Sequence, residues 1–447
     1  MLFEVAPGVK QDQCIKITHV MVLTYSITHD ALNLNTFSER QRLVDWFISI
    51  GKSSFALDRL NELVFQNLNQ GEQLETSKKE FGVNIIGYTR SLSGLGEDLR
   101  SIVAMVDNLG IPYCTLSCRH ISDSADFAVV KNEAFYPKYA VSIFCMNHIE
   151  FGKLTTIYDN LDMFGYCILQ APWELPILPA DLIPPLHNVN EHWAISKFVE
   201  TALLNAGMNN VHHIHPVVRH KEAKLNSALR LKMPTQRRKF TFLFIFDSSS
   251  FLSRKNPLAL IHAFQMAFSE DQHVQLILKI SNAVDNPSYI SMKRAAYSDA
   301  RILIITEQYT NQQLSQLYQR SDCYVSLHRS EGFGRTIAEA ALHKMPIIVT
   351  AWSGSCDIFP EDYELFVSYS LQDLEEGEYP FSENQYWAEP NLEHAANLML
   401  RVFNMDESEC QELGLRNFEF VSKNFTGETT LLQIEPRLSV ALKQKIQ

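Results

Sequence analysis

"CYVSLHRSEGFGRTIAEAALHK" (Cys323–Lys344) is the stretch on which the reading of this chain turns. "CYVSLH" has the short apolar character of a buried strand, and "RSEGFG" is a loop carrying two glycines. "RTIAEAALHK" then repeats apolar residues three and four apart, as a helix does. Glycines let a backbone come close to a ligand, and the free N–H groups and dipole of a helix start attract phosphate. Two glutamates, Glu331 and Glu339, bracket this turn with seven residues between them. Carboxylates are strong acceptors for sugar hydroxyls, so a phosphorylated ligand carrying hydroxyls fits the pattern. Thr336 to Glu339 also has the spacing of a capping box, which would place Glu339 in the first helical turn without any ligand.

The same strand, loop and helix alternation continues on both sides. Strands are expected at "FTFLFIF", "VQLILKI", "RILIIT", "CYVSLH" and "PIIVT", with helices at "NPLALIHAFQMAF", 287–297, "NQQLSQLYQRS" and "RTIAEAALHK". Earlier, "GVNIIGY" is followed by the glycine turn "SLSGLGE" and the helix "DLRSIVAMVDNLGIP", and then by the runs "YCTLSC", "AVSIFCM" and "GYCILQ". Such a series predicts parallel sheets covered by helices. The expected organisation is a helical appendage and linker over 1–80, a Rossmann-like domain over 81–218 and a basic linker over 219–239. A second Rossmann-like domain follows over 240–425, and a tail over 426–447 would return to the first. In open α/β sheets ligands sit beyond the carboxyl ends of the strands, so two such domains would face a cleft.

Composition narrows the function. Lys and Arg number 39 against 51 Asp and Glu, a net charge of −12, so the surface as a whole repels nucleic acid and anionic membrane. The basic run at 219–239 could face a phosphate or an acidic lipid, or be a solvated hinge. None of the eight cysteines has C-x-x-C spacing, and most lie in apolar runs, which points to free thiols in a reducing compartment. There is no leader-like start and no apolar run of spanning length, so a cytoplasmic protein is expected, with any membrane association peripheral. The histidine cluster "VHHIHP" (211–216) has no carboxylate near it in sequence and is not read as a metal site.

"SEGFGRTIAEA" followed by "MPIIVTAWSGSCDIF" resembles the signature of the retaining GT-B glycosyltransferases of the group 1, or family 4, type, in its bacterial polysaccharide subgroup. "GVNIIGYTRSLSGLGEDLR", "APWELPILP", "RKNPLALIHAF" and "WAEPNLEHAANLML" extend the resemblance from about Gly82 to Phe425. It implies a nucleotide-sugar donor, GDP- or UDP-linked, held by the second domain, and an acceptor held by the first. By motif, Glu331 would bond donor sugar hydroxyls, and the backbone at Gly332, Phe333 and Gly334 would approach the sugar and phosphates. Glu339 would accept from the ribose, and Lys255 would neutralise the leaving diphosphate. The arginine that many relatives carry five residues before that lysine is Ser250 here, and Arg254 stands next to Lys255 as its substitute. Gly94 and Gly96 would bring helix amides to the diphosphate, and His148 is a further catalytic candidate. Asn147, Trp173 and Glu174 would lie on the acceptor side.

The function expected is therefore a retaining, metal-independent hexosyltransferase without a cofactor. It would move a sugar to a glycan or lipid-linked glycan in O-antigen, capsule or exopolysaccharide synthesis. Alternatives are a silent sugar-nucleotide-binding scaffold, with the helical appendage docking partner enzymes, or a nucleotide-sugar hydrolase or epimerase. Retention can proceed through a protein nucleophile or by front-side attack within an ion pair, and Glu331 is not assigned as a nucleophile.

Overall fold

The computed structural model of the chain describes residues 43, 79–91, 93–118, 132–134, 137–157, 161–219, 239–269, 273–283 and 286–446. The expected helical appendage, apart from residues 43, 79 and 80, and 220–238 of the basic linker lie outside these. Two compact units are formed: Met1–Ala171 with Pro184–Glu191 and Pro436–Gln447, and Pro172–Ile183 with His192–Glu435.

The first sheet is built from β1 (Glu80–Gly87), β2 (Tyr113–Ser117), β3 (Tyr139–Cys145), β4 (Tyr166–Gln170), β5 (Glu191–Ala194) and β6 (Val211–His213), in the order β2-β1-β3-β4-β5-β6. β1 is buried from Gly82 onward, as expected of a strand covered on both faces. A single polar residue breaks this apolar run. Asn84 is fully buried, and its Nδ2 donates to the carbonyls of Tyr139 (2.9 Å) and Val141 (3.1 Å) and to Ser142 Oγ (2.9 Å). Its Oδ1 accepts from the backbone amides of Lys138 (2.8 Å) and Tyr139 (3.0 Å). One side chain thus fixes the register of β1 on β3 and the entry of the chain into β3. β1 leads into α1 (Gly94–Asn108) and β3 into α2 (His148–Ile157). Because β2 and β3 lie on opposite sides of β1, these two strand ends flank the sheet's topological switch point.

The second sheet contains β7 (Phe240–Asp247), β8 (Val274–Ser281), β9 (Ile302–Ile305), β10 (Cys323–Ser326), β11 (Ile347–Thr350) and β12 (Phe366–Val367), in the order β12-β11-β10-β7-β8-β9. Its connecting helices are α4 (Leu252–Lys255) with α5 (Pro257–Ala267), α6 (Pro287–Tyr297), α7 (Asn311–Arg320) and α8 (Arg335–Leu342), numbered after α3 (Lys197–Asn205). The chain steps outward from β7 to β9, crosses back to β10 and then steps the other way. Right-handed crossovers therefore put α5 and α6 on one face and α7 and α8 on the other, with the switch point between β7 and β10. The loops that open there are 248–256 and 327–334. An antiparallel ribbon, β13 (Tyr369–Asp373) with β14 (Tyr386–Pro390), stands outside the sheet. Helices α9 (Leu392–Asn404), α10 (Glu407–Asn424) and α11 (Gly427–Ile446) close the chain.

This is the GT-B architecture of two Rossmann-like domains, and every expected strand named above is present. β5, β6 and the ribbon were not anticipated. The first two are short and carry Glu191, His192, His212 and His213, and all five residues of β13 are exposed, so neither periodicity nor apolar content marks them.

Replacing Asn84 by Ala leaves several buried backbone groups without partners. We expect unfolding free energy to fall by about 2–4 kcal/mol, read by urea titration.

Candidate active site

The loop 327–334 that carries Glu331 lies at the second switch point. Glu331 is 8% exposed, and its carboxylate is gripped from the neighbouring loop by two consecutive cations. Arg254 Nη1 is 3.1 Å from one oxygen, and Lys255 Nζ hydrogen-bonds the other. Burial alone would raise the Glu331 carboxyl, but Lys255 and Arg254 together hold it well below the usual carboxylate range, so it is ionised. Arg254 is itself buried and also donates to the Ser330 carbonyl (2.7 Å), so it is a fixed strut rather than a surface charge. Arg254, four residues beyond Ser250, turns inward onto Glu331.

Both cations hang from one strained residue. Phe251 has φ 60° and ψ 105°, a region that disfavours side chains, and its carbonyl accepts from the amides of Arg254 (3.1 Å) and Lys255 (3.3 Å). From the far side, the turn 353–358 closes on the glutamate. Ser353 Oγ accepts from the Glu331 amide (2.8 Å), and the Gly354 amide donates to the Glu331 carbonyl (2.9 Å). A Cβ on Gly354 would stand 2.0 Å from the Gly332 carbonyl, so this approach requires glycine.

Below the loop, His328 is fully buried between Ser326 Oγ (3.0 Å from Nδ1) and Ser355 Oγ (2.9 Å from Nε2). Burial lowers its pKa to about 4, so the neutral ring ties β10 to the 353–358 turn. The antiparallel ribbon holds the loop from outside. Arg329 pairs with Glu389, lies over the Trp387 ring, and accepts the Ala388 amide at its carbonyl (3.1 Å). Tyr379, in the ribbon's connecting loop, donates to Glu174 Oε2 (2.8 Å), while the Glu174 carbonyl accepts the Ser330 hydroxyl.

Glu339 is placed differently from the capping expectation. Helix α8 begins at Arg335 with Gly334 as its N-cap at φ 93°, and no side chain caps it. Glu339 therefore falls in the second turn, where its Oε2 accepts from Tyr318 OH (3.3 Å) on α7. The left-handed N-cap needs glycine, which moves the helix start two residues ahead of the Thr336 pattern. Phe333 is buried against Phe425 (centroids 5.2 Å). Trp173 is also buried, donates to the Ile177 carbonyl (3.2 Å), and has its own carbonyl 3.2 Å from where a Gly332 Cβ would be.

In the first unit, Gly94 opens α1 and Gly96 lies in its first turn, where a Cβ would come within 2.2 Å of the Ser91 carbonyl. Asn147 caps α2 by accepting the Glu150 amide (2.8 Å), and buried His148 begins that helix. All four residues stand at the first sheet's switch point. In the histidine cluster the rings of His213 and His215 stay in edge contact (centroids 4.8 Å), and each ring has a further neighbour: His212 with Asn210 Oδ1 (2.9 Å), His213 with Asp357 Oδ2 (3.6 Å) and His215 with the Asn424 carbonyl (2.8 Å). Asp357 supplies a carboxylate that the local sequence lacks, yet among the described residues no group of three or more potential ligands assembles. The cysteines among the described residues are free, and no described helix is long and apolar enough to cross a membrane.

Residues 233–396 match the family described as Glycosyl transferases group 1. Among solved structures, sucrose-phosphate synthase from Thermosynechococcus elongatus is similar at TM-score 0.61 and 14% identity, covering 82% of this chain and 100% of that one. The apo lipopolysaccharide outer core galactosyltransferase WaaB aligns at TM-score 0.54 and 13% identity, covering 81% and 99%. A mutant of S. aureus TarM, in complex with fondaparinux, α-GlcNAc-glycerol and UDP, aligns at TM-score 0.50 and 13% identity; the match covers 67% of this chain and 55% of that one. Among curated proteins no sequence matches the chain. At these identities the structural likenesses show the fold, which is GT-B. Together with the matched domain, they support a glycosyltransferase.

His328, depressed in the folded chain relative to an unfolded value of about 6.5, contributes stability that is complete above pH 6.5 and lost as pH falls toward 4. His213, also lowered by burial to about 4, contributes in the same window. We expect His328→Gln to lose about 2–3 kcal/mol less than the parent between pH 7 and pH 4.5 in urea unfolding.

Proposed function

We propose that the chain is a retaining glycosyltransferase that moves a sugar from a GDP- or UDP-linked donor to a glycan or lipid-linked glycan acceptor in surface polysaccharide synthesis. The observation that carries this reading is the buried Glu331, ionised between Lys255 and Arg254 at the strand ends where α/β sheets bind nucleotides. An ionised carboxylate in a site largely closed to water is an acceptor for the donor sugar's hydroxyls. Of the two cations, Lys255 has the freer side chain, 14% exposed against 4% for Arg254. Lys255 is accordingly the group that swings to the diphosphate, while Arg254 keeps Glu331 charged and in place.

In the reaction the bond from the sugar's anomeric carbon to the diphosphate oxygen breaks, and a bond to the acceptor oxygen forms on the same face. The acceptor proton passes to the departing phosphate, and Lys255 stabilises the charge that develops there. Glu339 takes the ribose hydroxyls, and the amides at the start of α8 face phosphate. No metal is assigned a step. The acceptor is assigned to the first unit with Asn147 and His148, and the mention of lipopolysaccharide and UDP among the structural relatives agrees with this class of substrate.

Glu331→Gln should lower sugar transfer more than about 100-fold while GDP or UDP binding changes only a few-fold, measured by nucleoside diphosphate release and calorimetry. Far-UV circular dichroism must accompany it, because stranding two buried cations costs about 3–5 kcal/mol. Unchanged turnover would remove Glu331 from the site.

A further inference from the structure

Another buried cation on this sheet lies outside the Glu331 cluster. Lys279, in β8, is 2% exposed, yet its ammonium makes one long hydrogen bond, to the Ile280 carbonyl at 3.3 Å. Among the described residues no carboxylate stands within ion-pairing distance of it. Asp247 and Glu307 act on it only from further away, and the Asp247 oxygens are taken by the Ser249 amide (2.8 Å) and hydroxyl (2.6 Å) and by Asn282 Nδ2 (2.8 Å). The ammonium lies 5.2 Å from the ring centre of Tyr309, which holds it in place without neutralising it. A buried charge with donors to spare costs stability, and such a group is explained by a ligand that supplies acceptors.

Its position says which part of a ligand. Tyr309 immediately precedes Thr310, the N-cap of α7, so Lys279 faces the side of the sheet that α7 and α8 cover. Tyr318 and Glu339 meet on that same side. Across the strand order β10-β7-β8-β9, Glu331 follows β10, Lys255 follows β7, Lys279 belongs to β8 and Tyr309 follows β9. If the sugar is at Glu331 and the diphosphate at Lys255, as proposed above, the next positions in the row fall to the base. From β7 to β9 the row spans about 10 Å, two strand spacings, which suits a nucleoside laid across it.

We infer that Lys279, held by Tyr309, is the base-selecting residue of the donor site, and that it takes nucleobases bearing an oxo group at purine position 6 or pyrimidine position 4. An ammonium has only donors. Guanine O6 and the O4 of thymine or uracil accept from it, whereas adenine and cytosine present an amino donor at the same place. In a buried site that mismatch leaves donor facing donor, with no water to relieve it.

The test uses the full chain and calorimetric binding of five probes, GDP, UDP, dTDP, ADP and CDP, to the parent, Lys279→Met and Lys255→Ala. The parent is expected to bind at least one oxo-base nucleotide roughly 10- to 100-fold tighter than ADP and CDP. Lys279→Met keeps the shape and removes a buried charge, so its unfolding midpoint should equal or exceed the parent's, while the base preference shrinks to within about 3-fold. Lys255→Ala should weaken all five alike. ADP or CDP binding as tightly as the best oxo-base nucleotide, or an unchanged preference in Lys279→Met, overturns the inference and leaves the donor site standing. Binding of none of the five overturns the donor site and this inference with it.

Discussion

The contact between one carboxylate and two consecutive cations organises the second unit. Glu331 comes from the loop after β10, and Arg254 and Lys255 come from the loop after β7, so the ion cluster closes the switch point of the sheet. Such a cluster repays its desolvation only when further hydrogen bonds hold its geometry. The surroundings meet that condition: Arg254 is shared with the Ser330 carbonyl, the Glu331 backbone is bonded on both sides by 353–354, and the Phe251 carbonyl fixes the pair of cations. A left-handed Phe251 is a local cost that this arrangement requires, since its carbonyl serves both amides at once.

Much of this was legible in the sequence, for physical reasons that differ by element. The strands around Leu276 and Ile347 are short apolar runs between turn residues, and burial on both faces writes itself into composition. Glu331 was legible because a loop acid beside two glycines has few purely structural uses, whereas Lys255 entered only through the resemblance of "RKNP" to a family motif. Glu339 lies one turn further into its helix than the sequence suggests: Thr336 and Glu339 have the capping spacing, while Gly334, in a conformation glycine alone adopts easily, takes the cap.

What stayed hidden depends on distance along the chain. Tyr379 and Glu174 are 205 residues apart, and neither sits in a pattern that points to the other. Asp357 reaches His213 only through folding, which is why a cluster read as lacking carboxylates acquires one. Lys279 looks in sequence like an ordinary polar break in a strand; its burial and its single weak partner are visible only in three dimensions.

The ribbon that grips Arg329 and Glu174 has a thermodynamic consequence. A loop that is shaped by its ligand loses conformational freedom at the moment of binding, and that loss is subtracted from affinity. Here residues 329 and 330 are already pinned by Glu389, Ala388 and Glu174, so their ordering is charged to folding and a ligand bound there would meet a finished surface. Changes in β13 and β14 can therefore alter how tightly a ligand is held without exchanging any atom it touches.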